Sequence, residues 1–544
     1  MMRFRGSTAA EGMAIGQVRR IDRGRPGFSP IVEAPAREKE LLGAAMQEAV
    51  TQLDALEKRT AGEENRGILS FQSLLLEDGG LRREAETLIE QGMGAAAAIA
   101  RVGRENAARM RALTDNPYMQ LRGADILDAC LRVEEILSGR GRIGFTPEYP
   151  VILAAETLLP SDLAAAPPGT LLGAVTAAGS AQSHAAILAR GLGIPLVVQL
   201  GEAFLAGCDG HIAALDADRG EVMLDPTPAE RQAIVGRLCA QQQRSAQLAS
   251  LRDLPCRTRD GAEFTLLANC FGPEDIAAAM DAGAAGVGLL RSEMLLLRDG
   301  VQPDEDQQFA FYRACLEAAG GRPVTIRTFD FGAEKTTEPL AEPQDNPALG
   351  LRGVRYSLAH PQQFEAQLCA LLRAGRCGPL SVELPMISSV DDWDRTMRVV
   401  EHTKELLRRR GVPFCEALPF GVTLEVPAAC LEADRLPAHG CRFFDIGTND
   451  LVQYTHAADR NAAALEPYYR ADSPAVRRLV AMSVEAARAG GIPITVCGMA
   501  MESPQGAVGY LQQGIRAFSM AAQNILAAKQ ALLAADAVPA APCP

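Results

Sequence analysis

From residue 256 onward the chain repeats a single pattern, a short apolar run followed by a longer stretch with helical spacing. The runs fall at 264–269, 286–291, 324–329, 380–386, 421–426, 443–446, 494–497 and 517–520. Eight parallel strands with intervening helices over about 250 residues is the arithmetic of a (β/α)8 TIM barrel, whose active site lies at the C-terminal ends of the strands.

Polar residues gather at those expected ends: Asn269, Arg291 with Glu293, Arg327 with Asp330, Glu425, Asn449 with Asp450, and Cys497. Arg291 and Arg327 can each grip an oxyanion with two N–H groups. Glu425 and Asp450 are hard oxygen ligands suited to Mg²⁺, which takes one or two carboxylates and completes its shell with substrate oxygens and water. Asn449 and Arg460 add a donor and a cation. Singly, each of these residues also fits a surface ion pair. Together, at the ends of separate strands, they point to a small, highly charged anion bound with a divalent metal.

The first half is built differently. Residues 12–18 read as one or two strands punctuated by glycine. Helical stripes follow at 41–56, 67–77, 81–113 and 120–138, broken at Gly79-Gly80 and at Asp115-Asn116-Pro117. Four antiparallel helices are expected. Residues 31–140 carry 14 Lys and Arg against 19 Asp and Glu, a net −5. Strand-like runs return at 149–154, 173–175 and 195–198, with a helix at 185–190. The helical block then reads as an insertion into a small α/β unit completed by the N-terminal strands. The expected division is 1–30 with 144–226 for the α/β unit, 31–143 for the helical block, 227–254 for a polar linker helix and 255–544 for the barrel.

Composition narrows the class. The formal charge of −13 argues against nucleic acid, which demands a basic face. Thirteen cysteines without a C-x-x-C pair fit a reducing cytosol better than a disulfide scaffold. No apolar run of membrane-spanning length occurs, and the N-terminus has no signal-peptide core. A cytoplasmic protein without membrane insertion is expected.

One stretch in the α/β unit carries its own chemistry: Ala178-Gly-Ser-Ala-Gln-Ser-His-Ala-Ala-Ile-Leu-Ala-Arg190. A glycine turn leads to Ser183, which can cap a helix, and to His184 beside that helix N-terminus. A neutral imidazole there can attack a phosphoryl group, and the helix end can hold the resulting anion. By itself the stretch also fits a histidine that only packs or caps.

The whole chain resembles Enzyme I of the phosphoenolpyruvate:sugar phosphotransferase system. Ser183-His184 matches the family's G-G-x-T-S-H-x-x-I-x-A-R motif, and Gly286-Val-Gly-Leu-Leu-Arg-Ser-Glu293 matches G-x-G-L-x-R-[ST]-E. Further matches are Thr325-Ile-Arg-Thr-Phe-Asp330, Asn346-Pro-Ala-Leu-Gly-Leu-Arg352, Glu425-Val-Pro-Ala-Ala429, Ile446-Gly-Thr-Asn-Asp-Leu-Val-Gln-Tyr-Thr455, Asp459-Arg460 and Cys497-Gly498. Residues 116–132 resemble the helical subdomain that docks the small carrier HPr. The resemblance implies a swivelling phosphohistidine α/β domain with a helical insertion, followed by a barrel that binds phosphoenolpyruvate and dimerises. It implies that Arg291, Arg327, Asn449, Asp450 and Arg460 bind phosphoenolpyruvate, with Glu425 and Asp450 on Mg²⁺. His184 would accept the phosphoryl group and pass it to HPr. Cys497, otherwise a buried small hydrophobe, would be the proton donor to enolpyruvate.

The chain departs from the family pattern at Gln182, Ala185, Gly332-Ala-Glu-Lys335, Met499 and Glu383, the last standing where the family is usually apolar. Two alternatives accompany the assignment. One is a relative of pyruvate phosphate dikinase or phosphoenolpyruvate synthase without the ATP domain. The other is a catalytically weak regulatory docking protein.

Overall fold

Strands far apart in sequence lie side by side in the first half of the computed structural model. The described residues are 2–21, 34–57, 63–111, 117–139, 149–164, 166–167, 169–181, 183–293, 295, 303–330, 346–460 and 462–537. Contacts divide the chain into two units, Met1–Arg244 and Ser245–Pro544.

The first unit holds β1 (Met2–Arg5), β2 (Ser7–Ala10), β3 (Met13–Arg20), β4 (Val151–Ala155), β5 (Leu171–Thr176), β6 (Leu196–Val198), β7 (Ile212–Asp216) and β8 (Glu221–Leu224). They form one mixed sheet in the order β1-β8-β7-β3-β4-β5-β6-β2. β3 and β4 run parallel with Gln17 opposite Val151. All the helices of the 35–137 block therefore lie between two neighbouring strands. β1, β2, β7 and β8 were not anticipated individually. They are short, and glycines or turns separate them too closely for a period of two to stand out.

The inserted block has five helices rather than four: α1 (Pro35–Glu57), α2 (Glu63–Glu77), α3 (Gly80–Glu90), α4 (Ala95–Arg111) and α5 (Pro117–Leu137). The stripe at 81–113 splits after α3. Gly92 takes φ +90°, a left-handed conformation open to glycine, and ends the helix there. A Glu38 carboxylate oxygen from α1 then accepts the Ala95 N–H at 2.9 Å and starts α4. Leu42, Leu53, Leu69, Ile89, Ile99, Ala129 and Val133 form the shared core.

The sheet is covered on both faces. Three helices follow β4: α6 (Pro160–Ala164), α7 (His184–Gly191) and α8 (Glu202–Gly207). Ala185, Ala186, Leu188 and Ala189 of α7 pack with Leu153, Ala155 and Ala174 on one face. Phe204 and Leu205 of α8 pack with Ile152, Val175 and Leu215 on the other. α9 (Pro228–Ser250) buries only Ile234, as a solvated helix should.

The second unit is a closed barrel of parallel strands. They are β9 (Thr265–Cys270), β10 (Val287–Arg291), β11 (Val324–Arg327), β12 (Leu380–Leu384), β13 (Phe420–Thr423), β14 (Phe444–Gly447), β15 (Ile494–Cys497) and β16 (Ala517–Met520). Closure runs from β16 to β9, with Phe518 opposite Leu266. Each of the eight expected runs overlaps one strand. The fold class is thus an α/β unit with a helical insertion, followed by a TIM barrel. Among the described residues no helix is long and apolar enough to cross a membrane. The described cysteines are free thiols.

Candidate active site at the C-terminal rim of the barrel

Parallel pairing carries the polar strand ends to one rim. Arg291 ends β10 opposite Arg327, which ends β11 and lies opposite Glu383. Gly447 ends β14 opposite Cys497, which ends β15. One cavity is lined by Arg291, Arg327, Glu425, Asn449, Asp450, Arg460 and Cys497, together with Glu383, Thr423 and Thr448. Every barrel residue singled out from the sequence as substrate-binding, metal-binding or catalytic is there.

The arginines suit an anion. Arg327 donates from Nη2 to Glu293 Oε1 at 2.6 Å, and its Nη1 lies 3.3 Å from Asp330 Oδ2. Burial opposes its charge, but the carboxylates around it more than compensate and raise its pKa. The buried Nε atoms of both Arg291 and Arg327 have no hydrogen-bond partner among the described residues. A buried N–H without a partner is costly, and an incoming anion would supply one. The Arg291 guanidinium carbon lies 5.6 Å from the Phe271 ring centroid, a cation–π spacing.

The acids suit a cation. Glu425 Oε1 accepts the Met386 N–H at 2.8 Å. Burial, then the carboxylates of Asp450 and Asp330, push Glu425 up to about 8 against the pull of Arg352 and Arg327. Asp450, paired with Arg352 at 2.9 Å and within 3.5 Å of Arg460, lines the same cavity as a second oxygen donor, and two carboxylates with substrate oxygens and water are a donor set that fits Mg²⁺. Gly447 keeps the approach open, since a Cβ there would lie 3.0 Å from Glu425 Oε2. Among the described residues no cluster of three or more His, Cys, Asp or Glu could hold a metal alone. Substrate oxygens and water would complete the shell of a two-carboxylate site.

The loops are tied to the rim. Thr448 Oγ1 donates to the Cys497 carbonyl at 2.8 Å, and Asn449 Oδ1 accepts the Met499 N–H at 2.7 Å. Gly498 has φ +98°, and a Cβ there would come within 2.3 Å of Thr448 Oγ1, so only glycine fits.

Family models match the chain almost end to end. "PEP-utilising enzyme, PEP-binding domain" covers residues 245–537, "PEP-utilising enzyme, N-terminal" covers 5–122, and "PEP-utilising enzyme, mobile domain" covers 147–220. A phosphoenolpyruvate-protein phosphotransferase of Cupriavidus necator is 35% identical over 91% of this chain and 87% of its own. One from Lactococcus lactis subsp. cremoris is 33% identical over 96% and 92%. The chain belongs to the phosphoenolpyruvate-protein phosphotransferase family. A multiphosphoryl transfer protein of Xanthomonas campestris is 35% identical over 97% of this chain and 63% of its own. Members of this phosphotransferase family are transferases that use phosphoenolpyruvate, and the chain is an enzyme of that class.

The family's mobile-domain match contains His184, the first residue of α7. Ser183 is the N-cap, and its side chain accepts the Ala186 N–H at 3.2 Å. Arg190 Nη1 ties the preceding loop down through the Ala9 and Ala181 carbonyls at 2.6 and 3.0 Å. The His184 imidazole and the departures Gln182 and Gly332–Lys335 lie outside the described residues.

Two features escaped the sequence reading. Arg352 is buried and bridges acids from two directions. Its Nη2 donates to Asp330 Oδ2 at 2.8 Å, and its Nη1 donates to Asp450 Oδ1 at 2.9 Å. Its only sequence signal was a motif match without a role. Asp445 stands inside β14 rather than at its end; a carboxyl in the middle of a barrel strand was the overlooked signal.

Proposed function

We infer that the chain transfers the phosphoryl group of phosphoenolpyruvate to His184, releases pyruvate, and passes the group to a histidine of an HPr-like carrier. It would thereby serve as the first general component of a sugar phosphotransferase system. The observation supporting this reading is the rim cavity, where two arginines with buried Nε–H groups unpaired among the described residues share one lining with two acids, Glu425 and Asp450, and a buried thiol.

Arg291, Arg327, Asn449 and Arg460 hold the phosphate and carboxylate of the substrate. Glu425 and Asp450 hold Mg²⁺, which when bound neutralises substrate oxygens and stabilises developing negative charge. A His184 ring nitrogen attacks phosphorus, and the bond to the enol oxygen breaks with its electrons. Cys497 gives its proton to the methylene carbon, which becomes the pyruvate methyl group. One equivalent of pyruvate per chain is expected when phosphoenolpyruvate and Mg²⁺ are added without carrier. A chelator should suppress it, and an undiminished burst in excess chelator would remove Mg²⁺ from the scheme.

In-line transfer requires reacting atoms about 3–3.5 Å apart. His184 belongs to the α/β unit and the substrate to the barrel, so the α/β unit must swivel between substrate and carrier. The helical block, with its net −5, suits a carrier with a basic rim. A fragment of residues 1–250 should accept phosphate back from phospho-HPr and fail to react with phosphoenolpyruvate. In the full chain, a crosslink holding His184 at the barrel should permit phosphorylation and block transfer to the carrier. Phosphorylation of the folded fragment by phosphoenolpyruvate, or full turnover by the locked chain, would overturn this division of labour.

A further inference from the structure

The phosphoryl-transfer scheme leaves two buried acids unused. Glu383 in β12 and Asp445 in β14 are 0% and 2% exposed. Asp445 precedes by two residues the Gly447 that pairs with Cys497, so it sits on the same face of β14 one layer deeper. Its carboxyl interacts with the Glu383 carboxyl and with the Cys497 thiol. Arg327, in register with Glu383, acts on both acids; Glu425 adds negative charge toward Glu383, and Arg291 acts on the thiol.

None of the four oxygens of Glu383 and Asp445 accepts a hydrogen bond from an N–H or O–H among the described residues. The Thr423 hydroxyl, on the strand between them, reaches neither. Two buried carboxylates that interact without an N–H or O–H donor among the described residues carry both a desolvation and a repulsion cost. A single proton between them removes most of both, because one carboxyl then donates to the other. Burial, then the Asp445 carboxylate, raise Glu383 well above the usual carboxyl range. Burial pushes Asp445 up to about 6, opposed by its contacts with Cys497 and Glu383 and by Arg327.

We propose that Glu383 and Asp445 hold one proton in common and use it to reprotonate Cys497 after each turnover. The proposal rests on Cys497 as the donor to enolpyruvate. When the thiol has lost its proton to carbon, the thiolate takes the O–H proton of the pair. An S–H bond forms, an O–H bond breaks, and both carboxyls are left ionised beside Arg327. Water entering after pyruvate leaves restores the proton, so each turnover draws one proton from solvent into the methyl group. The two acids act through Cys497 and need no contact with substrate.

Infrared difference spectra taken with saturating Mg²⁺ at pH 7 test the shared proton directly. Wild type minus Glu383→Gln should contain the carbonyl stretch of a protonated carboxyl that shifts in heavy water. Asp445→Asn should remove the same band, and it serves alone if Glu383→Gln does not fold. Exchange of pyruvate methyl protons into heavy water should slow roughly tenfold or more in both variants. Absence of the band from wild type, or wild-type exchange in both variants while Cys497→Ala exchanges poorly, overturns the proton store alone. Wild-type exchange in Cys497→Ala overturns the donor assignment and the store with it.

Discussion

A Cys497→Ala protein is expected to bind phosphoenolpyruvate and yet to exchange pyruvate methyl protons roughly 10²–10⁴-fold more slowly. Cys497 closes β15 on the rim that carries Arg291 and Arg327, and its carbonyl is fixed by Thr448 Oγ1. Burial, then the acids Asp445 and Glu383, push its thiol well above the ordinary range, while Arg291 pulls the other way. Such a thiol keeps its proton at neutral pH, which a general acid must do. Arginine is too weak an acid to serve. Cys270 provides the control: it ends β9, burial pushes it up to about 12, and it does not line the cavity. Methyl-proton exchange in heavy water, followed by NMR with Mg²⁺ present, should fall in Cys497→Ala and persist in Cys270→Ala. Wild-type exchange in Cys497→Ala would assign the proton to another group.

The second large effect is structural. An Arg352→Met protein is expected to lose about 3–5 kcal/mol of stability, because removing one partner strands buried charge. Arg352 holds Asp330 through Nε and Nη2 at 3.2 and 2.8 Å, and its Nη1 reaches Asp450 Oδ1 and Tyr454 Oη at 2.9 and 3.0 Å. Without it, Asp330 and Asp450 face Glu425 with much less compensation. The specific unfolding entropy of a domain of this size translates the loss into a melting transition lower by roughly 5–8 °C. Arg352→Lys should recover part of it, since one ammonium cannot span both carboxylates. Calorimetry of the three proteins measures this, and an unchanged transition in Arg352→Met would mean the acids are relieved by other means.

The barrel was legible because each strand is an uninterrupted apolar run, and because strand ends are where polar residues in such runs accumulate. Arg291, Arg327 and Cys497 each terminate a strand, so period and position agreed. Arg352 was not legible as a site residue because it lies outside any strand and pairs with Asp450, 98 positions away. The break between α3 and α4 was hidden because the alanines after Gly94 continue the apolar spacing, and the Glu38 cap comes from 57 positions upstream. In β14 the neighbours Phe444 and Ile446 made the run look wholly apolar, and the inward Asp445 between them passed unread. Burial of an acid depends on which way a strand faces, and pairing partners decide that.

Chemical mapping of label from phosphoenolpyruvate tests the phosphoryl route most directly. His184 is the one histidine at the start of a serine-capped helix in the α/β unit. His211 pairs with Asp225, His439 with Asp394 and His456 with Ser473, while His360 stacks on Tyr356 and His402 lies near Glu365. Incubation with phosphate-labelled substrate and Mg²⁺ should give an acid-labile, base-stable label on the peptide containing His184. That label should pass to an HPr-like carrier and be absent from a folded His184→Ala protein. An unlabelled wild-type protein, or wild-type labelling of His184→Ala, would contradict the phosphohistidine route.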